Sequence, residues 1–270
     1  MSETTLDQAL VTRVVDGALT LSSQLDVSFA NFAEYNETLK TTFYRTVSDV
    51  ERYARRLKSD RSAVRILEIG AFTGVVSVAL AKLGYTVTAT DMPFVINHAQ
   101  MQEFFLNAGI STLAHDLTMS TMPVAPGSFD IIVFAEVLEH LNWNPLLTLQ
   151  EFHRILAPGG AVYCATPNLA SLKNRASLAT GKGFYSPISH LKVSLIPDTG
   201  ASVGIHWREY TKSELCELYE CAGFELVEHS YCLYNKGDKS RFPRRQIVRT
   251  IYRLWPGLMQ GQCAVFRKRA

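Results

Sequence analysis

At 270 residues, 47% hydrophobic and 19% charged, the chain has the length and composition of one large globular domain with an insertion or a small cap. Its 27 basic and 25 acidic residues leave a net charge of +2, which gives no electrostatic basis for a duplex-DNA binder. Five cysteines without Cys-x-x-Cys spacing, no apolar run of membrane-span length and an acidic, polar stretch at 1–10 make a cytoplasmic protein in a reducing compartment the expectation.

Residues 11–57 space Phe29, Phe32, Tyr35, Phe43 and Tyr44 for one-sided burial, which predicts an N-terminal helical cap over 1–60. Residues 61–270 then alternate strand and helix signals. Residues 65–69 form a short apolar strand ending at Gly70, and 75–83 a helix. A strand over 86–90 precedes Asp91, 94–108 is helical, and 112–114 is a strand ending near Asp116. Residues 130–135 are an apolar strand followed by helices that stop at Ala157-Pro158-Gly159-Gly160, and 161–165 form the next strand. Strands apolar throughout and separated by helices imply a parallel sheet covered on both faces. Residues 168–206 break the rhythm. An insertion of this length reads as a lid or substrate loop, with one helix over 169–179. Thr211 and Glu214 form a capping box for a helix over 211–222. A strand over 224–231, a basic amphipathic helix over 244–255 and a strand over 261–266 complete the chain.

The first strand-to-helix turn reads Glu68-Ile69-Gly70-Ala71-Phe72-Thr73-Gly74. Glycines here let the backbone pass close to a ligand at the carboxyl edge of the sheet. The dinucleotide fingerprint Gly-x-Gly-x-x-Gly is absent, because Phe72 and Val75 stand where it needs glycine, and this argues against a nicotinamide dehydrogenase. Asp91 ends the second strand, where a carboxylate can accept hydrogen bonds from ribose hydroxyls. Asp116 follows the third, placed to receive an adenine amine.

These motifs, with Phe129-Asp130-Ile131-Ile132-Val133, Glu136-Val137-Leu138-Glu139-His140-Leu141, Leu156-Ala157-Pro158-Gly159-Gly160, Thr166-Pro167-Asn168 and His206-Trp207-Arg208-Glu209-Tyr210-Thr211, resemble the class I S-adenosylmethionine-dependent methyltransferases over roughly 64–268. The resemblance implies an α/β fold: a Rossmann-like seven-stranded sheet, mostly parallel, with 261–266 as an inserted antiparallel strand. It implies cofactor contacts from Glu68, Gly70, Ala71, Gly74, Asp91 and Met92, with Asp116 and Leu117 at the adenine and Ala135 and Glu136 beside the methyl. An intact glycine turn and Asp91 argue against a cofactor-binding partner that has lost catalysis.

Glu136 and Glu139, three apart on a helix predicted after the fourth strand, share a face with His140 adjacent. With His206 they match the Glu-x-x-Glu-His…His pattern of the ubiquinone-biosynthesis and small-RNA 2′-O-methyltransferases. That likeness implies a divalent ion (Mg, Mn or Zn) on Glu136, Glu139, His140 and His206, with His190 an alternative ligand. The ion-free alternative uses His140, His206 or Glu139 as catalytic base. The expected activity is O-methylation of a saccharide or glycolipid, a small-molecule or glycan acceptor. A phenolic or quinone-like acceptor, or metal-assisted RNA 2′-O-methylation, is the alternative. Arg241, Arg245, Arg249 and Arg253 recur every four residues opposite Ile247, Val248, Ile251, Leu254 and Trp255. They suggest peripheral membrane contact through the 244–255 helix, or a phosphorylated acceptor.

Overall fold

Two helices, α1 (Glu3–Ser22) and α2 (Phe32–Leu57), precede the first strand in the computed structural model, which describes residues 3–119, 121–194, 204–234 and 244–269. Asn31 caps α2 by accepting the Glu34 N–H, and Phe32, Val47, Val50 and Ala54 form its buried face. The alternating region follows as β1 (Arg65–Ile69), α3 (Val75–Lys82), β2 (Thr86–Asp91), α4 (Pro93–Ile96), α5 (Ala99–Asn107), β3 (Ser111–Ala114) and β4 (Phe129–Ala135). After these come α6 (Pro145–Ile155), β5 (Leu156–Pro167), α7 (Leu172–Ala179), α8 (Ile188–Ser194), α9 (Lys212–Cys221), β6 (Phe224–Cys232), α10 (Arg244–Leu254) and β7 (Gly261–Lys268).

The seven strands are ordered β3-β2-β1-β4-β5-β7-β6, with β7 antiparallel to both neighbours and the rest parallel. Successive residues of each central strand feed opposite cores. Ile66, Ile131 and Val133 pack against α1, α2, α3 and α5, while Leu67, Ile132 and Phe134 pack against α6 and α9. The chain runs outward from β1 to β3 and then returns to β4, so the carboxyl ends of β1 and β4 lie side by side. That switch point is where an open α/β sheet leaves a crevice for a ligand.

Two expectations are corrected. The helix predicted over 94–108 is two helices, because Pro93 starts a short first one and the chain turns at Asn97-His98. The Gly159-Gly160 pair does not end the helical region in a free turn. α6 passes directly into β5, with Gly159 at φ 74° and a register shift opposite Phe129 and Ile131. A Cβ on Gly160 would lie 2.9 Å from the Asp130 carbonyl oxygen, so this crossing tolerates no side chain.

Asp130 joins the first and fourth strands from the side. Its carboxylate accepts the Arg65 backbone N–H at 2.9 Å and lies 3.0 Å from the Lys58 ammonium. Burial alone would raise its pKa, but the Arg65 and Lys58 bonds outweigh it and hold it below the ordinary carboxylate range. A lowered folded-state pKa contributes stability above the unfolded value of about 3.9, and that contribution is lost as pH falls through the folded value. Asp130→Ala should therefore cost about 1–3 kcal/mol in urea unfolding at pH 7, and the deficit should shrink below about pH 4. A deficit unchanged at low pH would contradict an electrostatic tie.

Candidate active site

The glycine turn leaves β1 with Gly70 and Ala71 both donating to the Thr90 carbonyl, at 2.9 and 3.0 Å, which ties the turn to the end of β2. Gly70 and Gly74 have φ of 72° and 71°, a region that favours glycine. Phe72 adopts φ 35° without being glycine, and its ring packs on Phe32 and Tyr35 with centroids 5.2 and 4.9 Å away. Buried Ser22 donates to the Thr73 carbonyl at 2.7 Å, so the α1–α2 corner clamps this turn.

Asp91 faces the same turn. One carboxylate oxygen accepts the Phe72 N–H at 2.8 Å and the other the Met92 N–H at 2.6 Å. Burial pushes its pKa to about 6 against the pull of those two bonds. Glu68 is buried behind the turn, bonded by the Ser77 hydroxyl, and burial raises it to about 8, so it holds a proton at neutral pH. Asp116 is half-buried and accepts from the Thr118 N–H and hydroxyl at 2.9 and 2.8 Å, while Leu117 packs against the α6–α9 core.

The far wall departs from the sequence expectation. No α-helix covers 136–140: Ala135 ends the strand, Glu136 turns at φ 56° with its N–H on the Ala165 carbonyl, and Leu138–His140 form a single 3-10 turn ahead of α6. Glu136 and Glu139 therefore do not meet through helical spacing. They meet because the left-handed residue folds the chain back on itself. Burial and then the Glu139 charge raise Glu136 well above the carboxylate range, and burial pushes Glu139 to about 7. Glu139 has no exposed surface. One of its oxygens accepts the Thr166 hydroxyl at 2.8 Å, and the other has no hydrogen-bond partner.

That second oxygen lies 4.0 Å from His140 Nε2, and the ligand atoms of Glu139, His140 and His206 all fall within 4.8 Å of one another. His140 Nδ1 donates to the Ile205 carbonyl at 2.9 Å, which leaves Nε2 as the acceptor nitrogen. Burial lowers its pKa to about 4, keeping it neutral. His206 turns Nδ1 toward Glu209 Oε1 at 3.5 Å, and the two imidazoles pack edge to face at 4.8 Å. An unsatisfied buried carboxylate oxygen beside two imidazoles whose Nδ1 atoms are engaged elsewhere fits a divalent cation. Glu136 and His190, the latter exposed on α8, stand outside that three-residue set.

Three groups at this cleft escaped the sequence reading. Tyr35 is held above the ordinary phenol range by burial of the phenol and by the charges of Glu136, Glu139 and Asp91. Tyr234 lies beside Glu136, and Glu209 backs His206. Tyr35 and Tyr234 are remote in sequence from the motifs they serve, whereas Glu209 lies three residues from His206.

A profile of the family described as "Methyltransferase domain" matches residues 35–229, most of the chain. The chain belongs to that family. It is a class I S-adenosylmethionine-dependent methyltransferase, related to the ubiquinone O-methyltransferase-like group. It is 29% identical to a Dinoroseobacter shibae protein named ubiquinone biosynthesis O-methyltransferase, over 71% of this chain and 73% of that one. A Pseudomonas aeruginosa protein of the same name is 32% identical over 38% of this chain and 44% of its own length. Magnesium protoporphyrin IX methyltransferase from Synechocystis, solved with bound SAH, superposes with TM-score 0.55 at 13% identity, covering 98% of this chain and 95% of that one. A Thermotoga maritima methyltransferase gives 0.54 at 17% identity, over 88% and 94%. These two show the shared fold.

A Cβ on Gly70 would meet Val137 Cγ2 at 2.6 Å, so the glycine turn and the turn after β4 are packed against each other. Gly70→Ala should displace the second turn, costing about 1–3 kcal/mol in thermal unfolding and weakening calorimetric binding of S-adenosylhomocysteine. Unchanged affinity would show that the two turns are not coupled.

Proposed function

We propose that this enzyme O-methylates a phenolic, quinone-precursor-like small molecule at the junction of the glycine turn and the Glu139–His140–His206 cluster. The observation that carries this reading is the convergence of those three side chains at the switch point. The ubiquinone-biosynthesis names of the relatives favour a phenolic acceptor over the saccharide or glycolipid expected from sequence.

S-Adenosylmethionine supplies an electrophilic methyl on a sulfonium whose departing thioether is neutral, so the protein has mainly to align the acceptor and help remove its proton. Asp91 is the group for the ribose hydroxyls. Glu139, His140 and His206 would hold a divalent ion, which lowers the pKa of an acceptor hydroxyl. Glu136 stands next to Glu139 but outside the ligand set. Phe72 and Tyr35 close the cleft from the α2 side and exclude water.

Ribose hydroxyls bind the ionised form of Asp91. The affinity for S-adenosylhomocysteine should therefore be flat above pH 7 and fall by up to about tenfold per unit below pH 6. Asp91→Asn should flatten that profile and weaken binding by about 1–3 kcal/mol. An unchanged profile would move the ribose elsewhere.

Exhaustive chelation should remove methyl transfer to a catechol, and added Mg, Mn or Zn should restore it, with Glu139→Gln inactive under all conditions. Full activity in chelator would remove the ion and leave His206, backed by Glu209, as base. Labelled-methyl transfer to sugar or RNA hydroxyls but to no phenol would overturn the acceptor assignment.

A further inference from the structure

β6 is an edge strand of the sheet, and Cys232 is its last residue. The ladder pairs Cys232 with Gly261 and Ser230 with Cys263, so the two cysteines stand diagonally on neighbouring strands. Both are buried in the core shared with α1 and α2, and their sulfurs are 3.7 Å apart. Gly261 makes room for that contact. A Cβ there would lie 2.8 Å from Cys232 Sγ and 3.0 Å from the Tyr234 ring. The Cys263 S–H donating to Cys232, aided by the Arg45 charge, holds the Cys232 thiol below its ordinary range against burial. The thiolate is the nucleophilic form, so Cys232 is the more reactive of the two. Cys263 lines a cavity of about 210 Å³ with Asp49, Arg52, Tyr163 and Glu228. Arg52 is half exposed there, so a solute as small as hydrogen peroxide can reach the pair.

The Cα atoms of a diagonal pair are about 7–8 Å apart, whereas a disulfide spans about 4.4–6.8 Å. Bridging these sulfurs therefore requires backbone to move, and the surroundings decide which strand yields. β7 lies between two strands, with Cys263 opposite Ala165 of β5. Its approach is pinned as well. Asn168, at the end of β5, sends its side-chain NH2 to the Gly257 and Met259 carbonyls and its backbone N–H to the Gln260 carbonyl, each at 2.8 Å. Among the described residues no strand pairs with the outer side of β6, and its end is held by Arg45 on the Leu233 carbonyl at 2.7 Å. The end of β6 is the part that yields. Tyr234, two residues on, packs beside Glu136 and moves with it. The side chains of Arg241 and Arg245, on the excursion between the two cysteines, lie outside the described residues.

We propose that Cys232 and Cys263 form a peroxide-reactive dithiol whose reversible disulfide loosens the wall that carries Glu136 and Glu139 and so slows methyl transfer. The Cys232 thiolate attacks one peroxide oxygen, the O–O bond breaks, and the departing hydroxide takes a proton to become water, leaving a sulfenic acid on Cys232. The Cys263 sulfur then attacks the Cys232 sulfur. The S–O bond breaks as the S–S bond forms, and the hydroxyl leaves with the Cys263 proton as a second water. The dithiol gives up two electrons and the peroxide takes them. A bridge that needs a backbone shift is strained, and strained disulfides are readily reduced, so a thiol reductant restores the dithiol. The dithiol stands on the two cysteines alone, and only the catechol assay below rests on the phenolic reading.

The test treats the full chain with hydrogen peroxide and reads its peptides by mass spectrometry. A pair of peptides joined through Cys232 and Cys263, and released by dithiothreitol, should appear in step with a fall of about tenfold or more in methyl transfer to a catechol. Hydrogen exchange at the end of β6 should rise over the same time course. Cys263→Ser and Cys263→Ala should each keep basal activity and lose both the crosslink and the peroxide sensitivity. Gly261→Ala should slow crosslinking about tenfold by pushing the thiols apart. Exposed Cys221 is the internal control: its oxidation while Cys232 and Cys263 remain thiols would overturn the proposal. So would a crosslink that changes neither transfer nor exchange, or peroxide inactivation undiminished in both Cys263 variants. A crosslink with raised exchange, in an enzyme that methylates no phenol even untreated, would retire the acceptor reading and leave the dithiol standing.

Discussion

A carboxyl group with no exposed surface sits where three stretches of chain meet, and the geometry of the site depends on how it is satisfied. Glu139 accepts the Thr166 hydroxyl from β5, and its own carbonyl accepts the Trp207 and Arg208 N–H groups at 2.7 and 3.4 Å. It thereby fastens the turn after β4, the end of β5 and the loop bearing His206. Burying an ionisable group with one oxygen unpaired is costly, by roughly 1–3 kcal/mol or more for a charged form. Such an arrangement persists in a working protein when something else completes it. A cation or an acceptor hydroxyl beside His140 and His206 would supply the missing partner.

Backbone strain falls in the same place. Among the described residues, Phe72 and Glu136 are the non-glycine residues with positive φ, and they stand on opposite walls of one cleft. Each is held by its surroundings: Phe72 by the aromatic side chains of the α2 end and by Asp91, Glu136 by the Ala165 carbonyl. Strain of this kind costs about 1–3 kcal/mol per residue, and it is retained where it aims groups at a ligand. Here it turns the Phe72 N–H toward Asp91 and folds Glu136 next to Glu139. The two walls of the cleft are thus set by two local turns, packed together where Gly70 leaves no room for a side chain against Val137.

Much of this was legible in the residues. The apolar runs of β1 and β4 have no polar alternation, so a doubly covered parallel sheet was readable, and Thr211 with Glu214 marked the start of α9 through a reciprocal cap that the structure shows. The final strand was expected to insert antiparallel, and β7 lies between β5 and β6. What could not be read depends on contacts distant in sequence. Glu-x-x-Glu-His suits a helix by spacing alone, and nothing in its composition marks Glu136 as left-handed, because no glycine or asparagine stands there. Asn168 looks like the end of a Thr-Pro-Asn loop, and its role emerges only when the segment after α10 returns to it 89 residues later. Tyr35 looked like one aromatic of a helical face, and only the fold brings its hydroxyl toward carboxylates from two other elements.

Methyl transfer by this mechanism requires acceptor and cofactor to meet between Asp91 and the Glu139–His140–His206 cluster. The most direct measurement is a crystal structure of the ternary complex with S-adenosylhomocysteine and a catechol. The account predicts the ribose on Asp91, the thioether sulfur facing the cluster, and the catechol oxygen within direct or ion-bridged reach of His140 Nε2. A catechol bound elsewhere, with the cofactor sulfur turned away from these three side chains, would contradict it.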